Sequence, residues 1–465
     1  MGGWGDVIAV VDTVARETLL FAAIGFLIGG LDDFAIDMVY IGHRLRCRWA
    51  GTAAIPVLED FPVLDAPGRI AVFIAAWDEA AVIGAMLRNA LASFDHPNYR
   101  LYVGAYPNDP ATIDAIAAIA EHDSRVVLVI GDDPGPTTKA DCLNAVWRAL
   151  LRDEHAEGVR AKAIVLHDAE DLVHAGELRI YDALIDTHWV VQLPVHPLIH
   201  PQSLFVSGHY ADEFAESHGK QLVVRQALGA AMPLAGVGCA IARDCLAQIA
   251  ALRGGSPFDA ASLTEDYELG LQIATLGGRG VFARVAEAPG GPPVAVRAYF
   301  PGEMHAAVRQ KTRWMIGIAL AGWDRVGWGG ARHWREHWMR MRDRRAPLAV
   351  LVLVAAYLAS LSWICSAVLH WIGEVQPRSL TPAMAWLLTI NALLLLWRMG
   401  VRAVFTGRAY GMRQAAWSVP RLVVGNFISM VATQRALLRY AGMLRGAALH
   451  WDKTAHVFPD DVELA

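Results

Sequence analysis

The sequence predicts an α/β domain built on a mainly parallel sheet with flanking helices, combined with α-helical transmembrane segments. Three observations lead there. Short apolar runs alternate with helical stretches between residues 69 and 300. The apolar excess lies instead in residues 19–42 and beyond Pro347. Acidic residues cluster immediately after the apolar runs of the central region. A chain of 465 residues is long for one domain, and 55% hydrophobic residues with a mean hydropathy of +0.32 is high for a wholly soluble protein.

In the central region, residues 70–75, 99–105, 126–130, 163–167 and 190–193 are rich in β-branched and aliphatic side chains. Such short continuous runs read as strands buried on both faces of a parallel sheet. Residues 79–94, 110–122, 138–151 and 174–186 read as the helices between them. Doubly wound sheets bind ligands beyond the carboxyl ends of their strands, so the residues following each run are the candidates.

The membrane segments follow from length and polarity. Residues 346–372 suffice to cross a hydrocarbon core of about 30 Å, and residues 382–397 form a second, shorter candidate. Residues 19–31 are cleanly apolar and continue without a breaker to Tyr40. No small-residue cleavage site follows, and Asp6 and Asp12 stand where a signal peptide carries basic residues. Residues 417–440 contain Arg421, Asn426, Gln434, Arg435 and Arg439, which favours an interfacial amphipathic helix, with a fourth span as the alternative.

Basic runs at residues 43–48 and 332–345 flank the central region and predict that it faces the cytoplasm. Asp32, Asp33 and Asp37 near the first span are expected to reach water or these arginines. The expected organisation is a first transmembrane helix at 1–48, a cytoplasmic domain at 49–300 and interfacial helices at 301–345. Two transmembrane helices at 346–400 and a membrane-associated helix with tail at 401–465 complete it. The net charge of −5 offers no basic footprint for nucleic acid. Five cysteines without Cys-x-x-Cys spacing read as reduced packing residues.

The residues at the strand ends are Trp77-Asp78-Glu79, Asn108-Asp109 and His167-Asp168-Ala169-Glu170-Asp171. Asp78 and Asp109 suit helix capping as well as ligand binding. Three carboxylates within four residues, Asp168, Glu170 and Asp171, point to a hard, oxygen-liganded cation such as Mg²⁺ or Mn²⁺. Neither G-x-G-x-x-G after the first strand nor a P-loop occurs, which argues against dinucleotide and P-loop nucleotide binding. Lys139, after Gly135-Pro136, begins a helix either near a diphosphate or in solvent. His196 and His200 lie among Pro194, Pro197 and Pro201, which forbid a regular helix and leave loop histidines. Thr264-Glu265-Asp266 is either a site or a capped helix start. Arg313-Trp314 in Gln310-x-x-Arg-Trp is either a site or a membrane-interface anchor.

In this order the motifs resemble those of the membrane-embedded family 2 glycosyltransferases, the group of cellulose and hyaluronan synthases. The resemblance runs from about Ile70 to Trp314. It rests on Trp77-Asp78-Glu79, Tyr106-Pro107-Asn108-Asp109, Lys139 with Asn144, and Asp168-Ala169-Glu170-Asp171 as the Asp-x-Asp motif. Thr264-Glu265-Asp266 and Gln310-Lys311-Thr312-Arg313-Trp314 complete the set. Asp78 replaces the usual Asn, and Glu170 stands where a second Asp is usual, so either Glu170 or Asp171 completes the metal pair. The first helix around Asp32-Asp33 and the tail at residues 451–456 resemble the transferase portion of adsorption protein B-like inner-membrane proteins. A further C-terminal domain carried by longer relatives is not expected in a chain ending at Ala465.

The resemblance implies a GT-A-type fold and metal-dependent, inverting hexosyl transfer from a nucleotide sugar, by inference from the family a UDP-sugar. The acceptor would be a glycan, an oligosaccharide or a lipid at the cytoplasmic face of a bacterial inner membrane. It places the donor on Asp78, Glu79, Asp109, Lys139, Asp168, Gln310, Arg313 and Trp314. Asp266 becomes the general base with Glu265 beside it, and the metal falls to Asp168 with Glu170 or Asp171. Membrane lipids, a glycan or lipid-linked acceptor, and export or outer-membrane proteins are the expected partners. The contrasting expectation is an inactive membrane scaffold or receptor that keeps the fold.

Overall fold

The computed structural model describes residues 2–330, 332–376, 379–447 and 457–459; the tail motif at 451–456 lies outside them. The strands are β1 Ile70–Ala75, β2 Tyr99–Ala105, β3 Val126–Ile130, β4 Ala163–His167, β5 Val190–Gln192, β6 Val195–Leu198, β7 Cys239–Ala242, β8 Gly280–Phe282 and β9 Val296–Tyr299. Seven of them form one sheet in the order β3-β2-β1-β4-β7-β5-β8. Strands β1 to β4 run parallel, and β7 lies antiparallel between β4 and β5. The sheet is therefore mainly parallel and flanked by helices, as expected.

Strand β1 shows why the runs are continuously apolar. Ile70, Val72 and Ile74 enter one core with Met86 and Leu87 of the helix Ile83–Ser93. Ala71, Phe73 and Ala75 enter the other with Val146 and Trp147 of the helix Lys139–Glu157. Both pleat faces are dry, so no polar residue is tolerated before the strand end. His196 sits in β6, which pairs in parallel with β9, and its ring stacks on Tyr410 at 4.3 Å. The prolines exclude a helix there, but an edge strand accepts them.

Among the described residues, four helices are long and apolar enough to cross a membrane, by length and composition. They are Trp4–Trp49, Ala346–Ile372, Pro382–Tyr410 and Met412–Met443. The last is the segment whose polarity favours an interfacial amphipathic helix, with a fourth span as the alternative. It continues through Pro420, and its Arg421 is fully buried against the soluble domain. Arg421 donates to Asp212 Oδ1 at 3.2 Å and to the Leu204 carbonyl at 2.8 Å. A charge that finds a partner inside the protein does not meet lipid.

The acidic residues of the first helix are used in the same way. Asp33 accepts from Arg342 at 2.9 Å and Arg398 at 2.8 Å, and Asp32 accepts from Trp338 at 2.6 Å. Asp37 accepts from Lys220 at 2.5 Å and Trp397 at 2.8 Å. The first long helix is thereby ion-paired to the helix Trp334–Arg344 and to the π turn Ser217–Gln221.

Candidate active site

A cavity of about 520 Å³ opens at the carboxyl ends of β1 and β4. Its wall contains Glu79, Lys139, Asp168, Glu170, Asp171, Glu265, Asp266, Gln310, Arg313 and Trp314. Residues spread over more than two hundred positions of sequence meet here because each follows a strand or begins a helix at the same edge of the sheet.

Asp78 and Asp109 are absent from that wall. Asp109 caps the helix Pro110–Ala120, accepting from Thr112 N at 3.3 Å, and its other oxygen accepts from Asp78 N at 2.5 Å. Asp78 is exposed with φ 54°, a left-handed conformation that this backbone bond holds in place. The next residue, Glu79, is buried, and its N–H donates to Thr112 Oγ1 at 3.0 Å.

Lys139 is the first residue of its helix, where Thr138 caps by accepting from Asp141 N at 3.2 Å. Its ammonium forms an ion pair with Asp168 Oδ1 and lies 3.4 Å from the Gly236 carbonyl. Burial opposes the charge on Lys139, but Asp168, Glu265 and Asp266 outweigh it and hold its pKa above the ordinary value.

The loop after β4 separates its three carboxylates. Asp171 is turned into the protein: its Oδ2 accepts from His167 Nδ1 at 2.8 Å and from Asp168 N at 3.0 Å. His167 is fully buried, and its Nε2 donates to Glu177 Oε1 at 2.7 Å. Burial disfavours a charged imidazole, yet Glu177 and Asp171 on either side raise its pKa to about 10. Asp168, Glu170 and Asp171 all line the cavity, and of the three Asp171 has one oxygen committed to the bonds from His167 and Asp168 N. Among the described residues no cluster of three or more His, Cys, Asp or Glu side chains forms a metal cage. Two carboxylates completed by diphosphate oxygens and water nevertheless fit a hard divalent ion. The ammonium drawn to Asp168 shows that this position favours positive charge.

Thr264 precedes the helix Glu265–Thr275 but makes no side-chain cap, and its buried hydroxyl has no hydrogen-bond partner among the described residues. The capping explanation for Thr-Glu-Asp therefore fails in this fold. Burial, then the neighbouring Asp266 charge, raises the pKa of Glu265. Burial likewise raises that of Asp266, against the opposing pull of Lys139. Asp266 Oδ1 accepts from Tyr267 N at 2.8 Å. Its Oδ2 lies 2.5 Å from where a Cβ on Gly236 would be, and Gly236 has φ 77°. The Gly236-Val237-Gly238 turn is visible in sequence, but its contact with the Asp266 carboxylate is not.

The helix Met304–Trp314 supplies the opposite wall. Gln310 Oε1 is buried and has no hydrogen-bond partner among the described residues. Trp314 packs with Tyr210, Phe214 and Phe300, at ring centroid separations of 6.0, 6.4 and 6.4 Å. Lys311 Nζ lies 5.4 Å from the Trp314 ring centroid and pairs with Glu213. Sequence reasoning did not place His218, Arg225, Asp343, Arg342 or Arg345 on this wall. Arg225 and Asp343 form an ion pair at 2.8 Å, and His218 Nδ1 accepts from Val195 N at 2.9 Å. Burial lowers the His218 pKa to about 3, so its ring is neutral. Only the arginine run carried a sequence signal, and it pointed to the membrane.

Comparison with known proteins places the chain in a family. Residues 67–317 match the family described as glycosyltransferase like family 2. Bacteriophage adsorption protein B of Escherichia coli K12 is 34% identical over 459 residues, covering 94% of this chain and 61% of that protein. The bacteriophage N4 adsorption protein B of Escherichia coli O157:H7 matches to the same extent. The chain thus spans about 61% of the length of these relatives. Among solved structures, a mannosyltransferase from Pyrobaculum calidifontis in complex with GDP-Man and Mn²⁺ is 18% identical. It aligns over 88% of this chain and 99% of its own, with a TM-score of 0.47. The glucosyl-3-phosphoglycerate synthase of Mycobacterium tuberculosis, with Mn²⁺, UDP and phosphoglyceric acid, is 17% identical over 60% of this chain and 85% of its own. Its TM-score is 0.36. The family match covers more than half of the sequence, and its span contains the sheet together with Glu79, Asp168, Glu170, Asp171, Glu265 and Asp266 of the cavity: the chain belongs to the glycosyltransferase family 2.

Proposed function

We propose that this protein is an inverting hexosyltransferase that takes sugar from a nucleotide-sugar donor, a UDP-sugar by family resemblance. Transfer is to a glycan or lipid-linked acceptor at the cytoplasmic face of a bacterial inner membrane. The observation that carries this reading is the gathering of Lys139, Asp168, Glu170, Asp266, Gln310 and Arg313 on one cavity. Basic residues 43–48 and 332–345 on both flanks of the catalytic region support the cytoplasmic orientation.

In this reading, Lys139 and Arg313 hold the donor diphosphate, the latter through its planar fork. The unpartnered Gln310 Oε1 accepts a hydroxyl of the donor. Trp314 offers a flat face to a sugar ring. Asp266 takes the proton of the acceptor hydroxyl as that oxygen bonds to the anomeric carbon. The bond from that carbon to the diphosphate breaks, and its electron pair leaves with the nucleoside diphosphate. A general base so placed contributes about 10²–10⁴-fold. Asp168 and Glu170 would hold Mg²⁺ or Mn²⁺, which as a Lewis acid neutralises the departing diphosphate. A partner for export of the product belongs to the same proposal.

The test is release of nucleoside diphosphate from a panel of nucleotide sugars by purified protein, with Mg²⁺ or Mn²⁺ and with EDTA. Metal-dependent release that is lost in Asp266→Asn is expected. No release and no calorimetric binding of any donor would instead favour an inactive scaffold.

A further inference from the structure

We infer that Glu177, His167 and Asp171 form a buried positioning relay that aims Asp168, and that Asp171 acts in that relay instead of ligating the cation. The inference deepens the proposed metal-dependent transfer and rests on it. Four contacts carry the argument. Glu177 Oε1 accepts from His167 Nε2 at 2.7 Å, and its other oxygen accepts from His174 N at 3.3 Å. His167 Nδ1 donates to Asp171 Oδ2 at 2.8 Å. That same oxygen accepts from the backbone N of Asp168 at 3.0 Å.

Each link is directional. Both ring nitrogens of His167 face carboxylates, so the imidazole is locked in one rotation between two elements, β4 and the helix Glu177–Leu184. His167 and Glu177 are fully buried, and Asp171 is 2% exposed. Asp171 closes the turn after β4 onto the first residue of the Asp-x-Glu motif. A cation ligand must be held within a fraction of an ångström, and outer-sphere hydrogen bonds do that holding. Asp171 Oδ2 already accepts two hydrogen bonds, so only Oδ1 of this carboxylate is left for a metal ion, on a residue that is 2% exposed.

Mn²⁺ binding to the full chain in detergent, read from the loss of the free-ion paramagnetic resonance signal with UDP or GDP present, tests the relay without turnover. Glu177→Gln keeps shape and an acceptor oxygen but removes the charge. It is expected to weaken Mn²⁺ binding about 10–100-fold, the range for outer-sphere partners, measured below the variant's own melting temperature on protein with wild-type circular dichroism. Asp171→Asn is expected to weaken binding by a similar factor, and Asp168→Asn to abolish it. Binding by Glu177→Gln within about two-fold of wild type would overturn the relay. So would complete loss in Asp171→Asn with Glu177→Gln unaffected, which would make Asp171 a ligand. His167→Asn, which retains one donor toward Asp171, covers the case in which Glu177→Gln does not fold, with the same expected and overturning results. Absence of Mn²⁺ binding in the wild type would overturn the metal reading itself, and the relay with it.

Discussion

The Lys139 ammonium is ion-paired with the Asp168 carboxylate, joining the first turn of one helix to the loop after the central strand β4. One cation thereby ties the predicted diphosphate ligand to the predicted metal ligand. Lys139→Gln is expected to weaken nucleotide binding by roughly 10-fold or more, as for loss of a hydrogen bond to a charged group. Calorimetric titration with UDP and GDP checks it; unchanged affinity for both would remove Lys139 from the donor site.

Asp266 and Glu265 titrate above the ordinary carboxylate range because both are buried beside each other. A base must be deprotonated, so kcat/KM is expected to fall as pH drops through that raised value, above the ordinary carboxylate range. Asp266→Asn should lower kcat about 10²–10⁴-fold above that pKa, with the deficit narrowing as pH falls through it. A wild-type acid limb near pH 4 would count against Asp266 as base.

The same shift makes a stability prediction with a fixed sign. A carboxyl whose folded pKa is raised binds its proton more tightly when folded, so it costs stability once pH rises through that range. Glu265→Gln should therefore raise the melting temperature at pH 8 and leave it nearly unchanged at pH 4, as scanning calorimetry in detergent would read.

Gly236 can carry no side chain without displacing the Asp266 carboxylate, and its φ of 77° disfavours any replacement. Gly236→Ala is expected to lower kcat by roughly 10²-fold, the effect of misplacing a reacting group by about an ångström. Circular dichroism should remain that of wild type. Full activity would show that Asp266 is free to move.

Arg421 and Asp212 are both fully buried and hydrogen-bonded at 3.2 Å. Removing one partner of such a pair costs about 3–5 kcal/mol, whereas removing both with apolar replacements costs much less. Arg421→Met should destabilise strongly, and the double variant with Asp212→Leu should recover most of the loss. Additive effects in thermal unfolding would contradict the pairing.

The sequence by itself determined the strands β1 to β4, since a strand dry on both faces must be written as an unbroken apolar run. It determined the strand-end carboxylates and the order of motifs, because sheet chemistry puts ligands where those runs stop. The long apolar helices were legible for the same reason, apolar length being the requirement for a span. Tertiary structure alone decided the rest. It inserted β7 antiparallel, because register across a sheet is a contact between distant segments. Asp109 became a cap and Asp171 a hydrogen-bond anchor, since a carboxylate's role depends on which N–H group is nearest. It gave Arg421, polar in sequence, a buried partner in Asp212, so that a helix that reads as amphipathic runs on as a long apolar one. Residue type fixes what a group is able to do, and only its neighbours in space select which of those things it does.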